Sequence, residues 1–181
     1  MKFGSVPLNN AVGKILGHNI ADENGHRALR KGRALTAQDV SLLKTLGRTV
    51  VYVAEIEPND VEDIEAARQI AQAVMGHGLR FTGPSTRRSN LIATEIGILR
   101  IDVARLNQLN SCVGITLATG RTITPASPKM MVGTVKILPY AVPEATVQQA
   151  LVVAQSGPAL IAVDPLPARK TAVILSGSPT A

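Results

Sequence analysis

The chain has 181 residues, of which 45% are hydrophobic and only 2% aromatic, and its formal net charge is +6. This length is sufficient for one domain with an aliphatic core. No segment approaches the ~18 uninterrupted apolar residues of a membrane span, and no secretory h-region follows Met1. The single cysteine, Cys112, excludes an intramolecular disulfide framework and a cysteine-based zinc site. We therefore expect a cytoplasmic protein that has no membrane partner.

The net charge allows two interpretations, a polyanionic partner or an ordinary soluble protein with a modest basic excess. No run of five or more Lys and Arg residues occurs. The four aromatic residues, Phe3, Tyr52, Phe81 and Tyr140, are too few to form a stacking platform for single-stranded nucleic acid. We therefore expect no nucleic-acid partner.

The first residues predict a helix followed by a hairpin. Residues 8–16 have apolar positions at i, i+3, i+4 and i+7, which is the spacing of one helix face. Asn24 and Gly25 then lie between two short extended segments. Because Asn-Gly supplies the positive φ angles of a type I′ turn, this dipeptide predicts a hairpin.

Two longer helices and a strand follow. Thr36 and Asp39 have the spacing of a capping box, and Gly47 is placed to end the helix that this box begins. The β-branched and aromatic residues of 49–53 predict a strand. Residues 61–75 have an apolar stripe with acidic residues in the first turns, which predicts the second helix.

From residue 79 onward the pattern changes to short strands separated by two helices. The helices are expected over 103–109 and 144–154. The strands are expected over 79–82, 90–94, 97–101, 114–119, 131–138 and 159–163. Together these elements predict an α+β fold of short helices and a mixed, mostly antiparallel sheet.

We expect four segments along the chain. Residues 1–78 form a helix-hairpin-helix part, 79–155 the β-rich part of the same domain, and 156–170 a proline-rich connector. Residues 171–181 begin with a short apolar run that stops at a Gly/Ser turn, as a buried parallel strand does. Since such a strand needs neighbours and a crossover, we expect it to be the first strand of an incomplete α/β domain.

Four residues are candidates for ligand binding. Arg87, Arg88 and Asn90 follow a proline turn, where guanidinium forks suit phosphate or carboxylate and an amide suits a heterocycle edge. Lys136 lies within an apolar strand and must point outward or pair with an anion. The alternative is a solvated loop and an edge-strand charge that discourages association. A third basic spot contains Arg121 and Lys129.

No residue is a candidate for catalysis or metal binding. The three histidines, His18, His26 and His77, lack the i, i+4 spacing of a metal pair and are interpreted as turn residues. Cys112 has no histidine near it in sequence. Neither a Walker-type phosphate loop nor a strand-linked G-x-G-x-x-G occurs.

The stretch LRKGRALTAQDVSLLKTLGRTVVYVAEIEPNDV at 29–61 resembles a segment of the molybdopterin molybdenumtransferase and gephyrin family. The stretches RRSNLIATEIGILRIDVARLNQLN, GITLAT and MMVGTVKILPYAVP are similar to a narrower group of bacterial molybdopterin-binding proteins. Some members of that group are fused to a cytidylyltransferase-like or glycosyltransferase-like domain. In that family KTAVILSG at 170–177 would open the molybdopterin-binding α/β domain.

The resemblance implies a non-catalytic N-terminal domain of a molybdenum-cofactor binding or maturation protein. Its ligand would be an anionic pterin, molybdopterin or its nucleotide form, and the domain would support or dimerise around the site as a homodimer. One alternative is part of a cytidylyltransferase-type enzyme, of the kind named diphosphocytidyl-methylerythritol synthase. Another is a β-rich oligomerisation or sugar-acid-binding module of the kind found beside sugar-acid dehydratases.

Overall fold

The computed structural model describes residues 1–83, 88–174 and 176–177, and within these ranges the chain forms four α-helices, one 3-10 helix and fourteen strands. The helices are α1 (Ala37–Thr45), α2 (Asp63–Val74), α3 (Val103–Asn110) and α4 (Glu144–Gln155). The strands are β1 (Lys2–Pro7), β2 (Ile15–Leu16), β3 (Ile20–Ala21), β4 (Arg27–Leu29), β5 (Val50–Glu55), β6 (Asp60–Glu62), β7 (Leu79–Phe81), β8 (Arg88–Ala93), β9 (Gly97–Ile101), β10 (Ile115–Thr119), β11 (Thr124–Ala126), β12 (Met131–Ile137), β13 (Ala141–Pro143) and β14 (Ile161–Pro165). The strands pair antiparallel, so the predicted α+β fold is confirmed.

Residues 1–56, here called the N-terminal lobe, are organised around the sheet β1-β5-β2. In β5, Val51 and Val53 are buried while Val50 and Tyr52 are exposed, which is the alternation of a strand with one covered face. Helix α1 contributes two apolar side chains to the same core. The buried apolar residues of this lobe are Leu8, Ala11, Leu16, Leu29, Leu35, Val40, Leu43, Val51 and Val53.

The helix predicted over 8–16 is wrong. The chain forms only the 3-10 helix Leu8–Asn10 and then enters β2. Gly13 has φ = +82°, a left-handed conformation that ends a right-handed helix. The apolar spacing was nevertheless informative, because Leu8 and Ala11 are buried in the lobe's core.

The hairpin predicted at Asn24-Gly25 is confirmed, but its turn type is wrong. Strands β3 and β4 pair antiparallel. Gly25 has φ = +79°, whereas Asn24 has a negative φ, so the turn is not the type I′ turn that needs two positive values. The Asp22 carboxylate accepts hydrogen bonds from the amides of Asn24 and His26 at 3.0 and 2.8 Å, and this contact holds the wider loop.

The capping box predicted at the start of α1 is confirmed. The Thr36 hydroxyl accepts a hydrogen bond from the Asp39 amide at 3.2 Å, and the Asp39 carboxylate accepts one from the Thr36 amide at 3.0 Å. Arg33 forms an ion pair with the same carboxylate at 3.1 Å. Burial alone would raise the pKa of Asp39, but the Thr36 donors and the Arg33 guanidinium outweigh it and hold the pKa below its ordinary value.

We expect Asp39→Asn to lower the free energy of unfolding by about 1 kcal/mol at pH 7. Because the folded pKa lies below the unfolded one, the contribution of the carboxylate is complete above the unfolded pKa of about 4. It is lost as pH falls from there through the folded pKa. Urea titrations at pH 7 and at pH 3 measure this, and the difference between the two proteins should shrink at pH 3. A difference that is the same at both pH values would contradict the ionic role.

Residues 57–165, here called the C-terminal lobe, contain a four-stranded sheet in the order β10-β12-β8-β7 and a three-stranded sheet in the order β11-β9-β14. Helix α2 packs against α4, β8 and β12. The predicted boundary at residue 78 groups α2 with the N-terminal elements, yet its apolar stripe contributes to this lobe. The buried residues of that stripe are Ala66, Ala67, Ile70, Ala71 and Val74.

The edges of the sheets differ in how they are covered. At the edge strand β10, the side-chain amide of Asn110 pairs with both backbone groups of Leu117, at 2.7 and 3.1 Å, as a neighbouring strand would. Strand β1 lies at the edge of its sheet and carries Lys2 and Pro7, which discourage edge pairing. These edges do not test the homodimer expected from the sequence, which stays a prediction.

Residues 166–174 form neither a helix nor a strand, and the side chains of Val173 and Ile174 are exposed. Leu175 and residues 178–181 lie outside the described ranges. The strand expected at 171–181 is thus not formed by the described part of that segment, and its assignment to a further domain stays a prediction. None of the helices in the described ranges combines the length and apolarity of a membrane crossing.

Candidate functional site

Strands β8 and β12 form the centre of the four-stranded sheet and present one covered and one open face. In β8 the side chains of Ser89, Leu91 and Ala93 are buried, so Arg88 and Asn90 point to the other face. Strand β12 alternates in the same way. Sequence patterns predicted strands over 90–94 and 131–138, but β8 begins at Arg88, a residue expected in the loop before it. The pairing of β8 and β12 places Arg88, Asn90 and Lys136 on one surface.

Arg88 and Lys136, here called the cationic pair, lie directly opposite each other across β8 and β12. Like charges at directly opposed positions destabilise a sheet. On the other side of Lys136 the opposed residue is Thr116, which is neutral. Neither cation makes an ion pair or a side-chain hydrogen bond with any residue that the structure describes. Their repulsion is therefore uncompensated by the described part of the chain.

Asn90 lies beside the cationic pair and is held by its cross-strand neighbour. The Thr134 hydroxyl donates a hydrogen bond to Asn90 Oδ1 at 2.9 Å. This contact occupies the acceptor of the amide and leaves its NH₂ group as a donor. Guanidinium, ammonium and amide groups on this face are all hydrogen-bond donors, an arrangement complementary to an anion.

A shallow groove of about 260 Å³ continues from Thr134 along the same face. Its walls are mainly small or apolar. The lining residues are Ala118, Thr119, Gly120, Met131, Val132, Gly133 and Thr134. A strand rises about 3.4 Å per residue, so the groove begins about 7 Å from Lys136. A single ligand could therefore place an anionic group on the cationic pair and an attached ring in the groove.

The structure brings together three of the four predicted site residues: Arg88, Asn90 and Lys136. Arg87 lies outside the described residues. Lys129 of the third basic spot lies apart from these residues, because its amide donates a hydrogen bond to the carbonyl of Ala93 at the far end of β8. At the usual rise per residue that end is about 17 Å from Arg88.

The sequence did not identify Thr134 as part of the site. Its position two residues before Lys136 gives it the same face of β12, and this period of two was the available signal. The opposition of Arg88 and Lys136 had no local signal, because it depends on strand register and the two residues lie more than forty positions apart in the sequence. Beneath them, the Ser89 hydroxyl is fully buried and has no hydrogen-bond partner among the described residues.

The three histidines have different neighbours, with His18 beside Phe3 and Tyr52 and His26 beside Asp22. His77 Nε2 contacts the Asp164 carboxylate at 2.9 Å, and Arg100 Nε donates to the same carboxylate at 2.9 Å. Those contacts hold the pKa of Asp164 below its ordinary value, with Arg100 as the larger cause. In the described ranges, no group of three or more His, Cys, Asp or Glu side chains could hold a metal ion.

Comparison with known proteins gives two partial matches. A family model described as "Domain of unknown function (DUF8806)" matches residues 5–55, which lie in the N-terminal lobe. No curated protein matches. Among solved structures, a molybdenum cofactor biosynthesis protein from Pyrococcus furiosus is 35% identical over 32% of this chain and 25% of that chain, with a TM-score of 0.28. The match thus spans about a quarter of the length of that protein, and it transfers no activity to this chain.

Proposed function

We propose that this chain binds an anionic pterin, molybdopterin or its nucleotide form, on the cationic pair, and that it supports the ligand without catalysing its conversion. The observation that carries the proposal is the direct opposition of Arg88 and Lys136 without a described anionic partner. An anion between the two charges would remove their repulsion and accept hydrogen bonds from both.

The class of anion follows from the donors around the pair. A phosphate offers several acceptor oxygens, and a guanidinium, an ammonium and the Asn90 NH₂ group can bind different oxygens of one phosphate. The groove beyond Thr134 offers small and apolar walls to a ring system. The choice of a pterin rests on the stretches that resemble molybdopterin-binding proteins. The overlay with the Pyrococcus protein is too short to add to it.

We expect Arg88→Ala and Lys136→Ala each to weaken the binding of molybdopterin about tenfold, because each removes a charge-assisted hydrogen bond. The same variants should unfold at an equal or slightly higher urea concentration than the unaltered protein, since each removes a like-charge repulsion. Calorimetric titration with oxygen excluded measures the first effect, and urea unfolding followed by circular dichroism measures the second.

Arg27→Ala is the matched control, because it removes an exposed arginine of the N-terminal lobe, away from the cationic pair and the groove. It should leave the affinity unchanged. Inorganic pyrophosphate and glucuronate serve as further probes, since the first tests binding of the phosphate alone and the second tests the sugar-acid alternative. If molybdopterin binds equally well to all three variants and the unaltered protein, the cationic pair is not the site.

A further inference from the structure

Three rings form an exposed aromatic cluster on the N-terminal lobe. The ring centroids of Phe3 and His18 are 5.9 Å apart, those of His18 and Tyr52 are 5.6 Å apart, and those of Phe3 and Tyr52 are 6.2 Å apart. Phe3 and Tyr52 are two of the four aromatic residues of the chain, yet each is about half exposed, at 50% and 51%. The core of this lobe is aliphatic, so the cluster is not part of it.

The position of the cluster is determined by the backbone beneath it. Phe3 lies on β1, Tyr52 on β5, and His18 follows β2, so the three residues come from the three strands of one sheet. The Phe3 ring lies against Gly17, where a Cβ would stand 2.8 Å from two ring carbons. A side chain at residue 17 would displace the ring. The close approach therefore depends on glycine at that position.

The cluster borders a cavity of about 330 Å³. Its apolar lining is formed by Leu16, Ile20, Val50 and Val51, and its polar lining by His18, Asn19, Arg48 and Tyr52. A concavity that combines apolar walls with a few polar groups is the usual form of a small-molecule site. The volume lies at the lower end of the range for such sites.

The polar groups of this cavity are available to a ligand. The Arg48 guanidinium, the Tyr52 hydroxyl and the His18 ring nitrogens make no hydrogen bond or ion pair with any residue in the described ranges. Asn19 Oδ1 accepts a hydrogen bond from the Lys31 amide at 2.9 Å, and this contact leaves the NH₂ group of Asn19 as a donor.

We infer that this cavity is a second small-molecule site, which takes a planar heteroaromatic compound with an attached phosphate or carboxylate. The Tyr52 and His18 rings are inclined by 60°, so a planar ligand can stack on one of them and meet the edge of the other. Such stacking is insensitive to the identity of the heterocycle. The Arg48 fork offers two parallel donors to the anionic group. The site lies on a different lobe from the cationic pair and therefore goes beyond the proposed function.

Pterin-6-carboxylate is a suitable probe, because it has the planar ring and the anionic group and is itself fluorescent. We expect it to bind the full chain saturably, with a change in its fluorescence on stacking. Arg48→Ala should weaken this binding about tenfold, and Tyr52→Ala should do so by a similar factor. Tyr52→Phe keeps the ring, so it should change the affinity less than threefold if stacking is the main contribution of this residue.

Three controls decide between this site and others. Arg27→Ala removes an exposed arginine of the same lobe that does not line the cavity, and it should have no effect. Titrations in the Lys136→Ala background remove binding at the cationic pair, so the effect of Arg48→Ala there reports on the cavity alone. Pterin without the carboxylate should bind at least tenfold more weakly than the probe, because it lacks a group for Arg48.

The inference is overturned if the probe shows no saturable binding, or if Arg48→Ala and Tyr52→Ala both bind it like the unaltered protein. It is also overturned if the probe shows no saturable binding in the Lys136→Ala background, since the probe would then occupy only the cationic pair. Circular dichroism spectra and melting temperatures of the variants confirm that each is folded. Both substituted side chains are exposed, so we expect melting within a few degrees of the unaltered protein.

Discussion

Gly97→Ala is expected to destabilise the chain by about 3 kcal/mol. Gly97 begins β9, the central strand of the sheet β11-β9-β14, and it pairs with Pro165 and Ala126. A Cβ at this position would stand 2.6 Å from Val163 Cγ1 and 2.9 Å from the carbonyl carbon of Asp164, and closer still to the carbonyl oxygen. Contacts below 3.0 Å require atoms to move, and here most of the obstructing atoms are backbone.

The strand that obstructs the new methyl group has little freedom to move. Val163 on β14 is fully buried, and its neighbours Leu160 and Ile161 are as well. A shift of β14 would also disturb the ion pair between Arg100 and Asp164, although that pair is partly exposed and adds little. Loss of packing in the core is therefore the main expected cost.

Gly4→Ala is the matched control for this prediction, because Gly4 also lies in a strand and a Cβ there would meet no atom within 4 Å. Its effect should be within about 0.5 kcal/mol of zero, or slightly stabilising through a less flexible unfolded chain. Guanidinium unfolding of the two variants gives the comparison. If Gly97→Ala and Gly4→Ala unfold at the same guanidinium concentration, β14 can move to accommodate the new methyl group without loss of stability, and the prediction is wrong.

Leu43→Ala is expected to destabilise the N-terminal lobe by about 3 kcal/mol, since Leu43 is fully buried and the deletion leaves a cavity. The apolar clusters of the two lobes share no residue. The described contacts between the lobes include polar ones, such as the Tyr140 hydroxyl with the Leu16 carbonyl at 3.3 Å and Lys2 with Glu57 at 2.9 Å. We therefore expect the N-terminal lobe to open before the rest.

Hydrogen exchange measures this local effect. The amides of α1 and β5 should lose about a hundredfold in protection in Leu43→Ala, while those of α2 and β12 should keep theirs. Leu42→Ala is the control on the same helix, because Leu42 is 39% exposed and its loss should cost under about 1 kcal/mol. Equal loss of protection in both lobes would show instead that the chain unfolds as one unit.

Local patterns in the sequence were sufficient for most elements of the C-terminal lobe. The helix predicted over 144–154 is α4, and the strand predicted over 97–101 is β9 with the same bounds. In each case the signal lies within a few residues: a proline at the helix start, a period of two, or a turn residue at the end. The capping box of Thr36 and Asp39 belongs to the same class, because its partners are three residues apart.

Patterns of the same length gave wrong predictions where a segment pairs with residues that are distant in the sequence. The apolar spacing of 8–16 is that of a helix, yet Ile15 and Leu16 pair with β5, and a residue in a strand cannot also make helical hydrogen bonds. Short strands such as β6 and β13 had no recognised signal, because three residues show no period and only their mutual pairing defines them.

By itself, the amino-acid sequence determined the α+β class, most helices and strands, and the strand positions of Asn90 and Lys136. It places Arg88 in the loop before the strand predicted over 90–94, whereas the structure places Arg88 at the start of β8. Only the tertiary structure decided that Arg88 and Lys136 oppose each other, and that Phe3, His18 and Tyr52 meet beside one cavity. The reason is that propensity and periodicity act over a few neighbouring residues. Strand register depends on which faces are buried across the whole lobe, so it cannot be predicted from a few neighbouring residues.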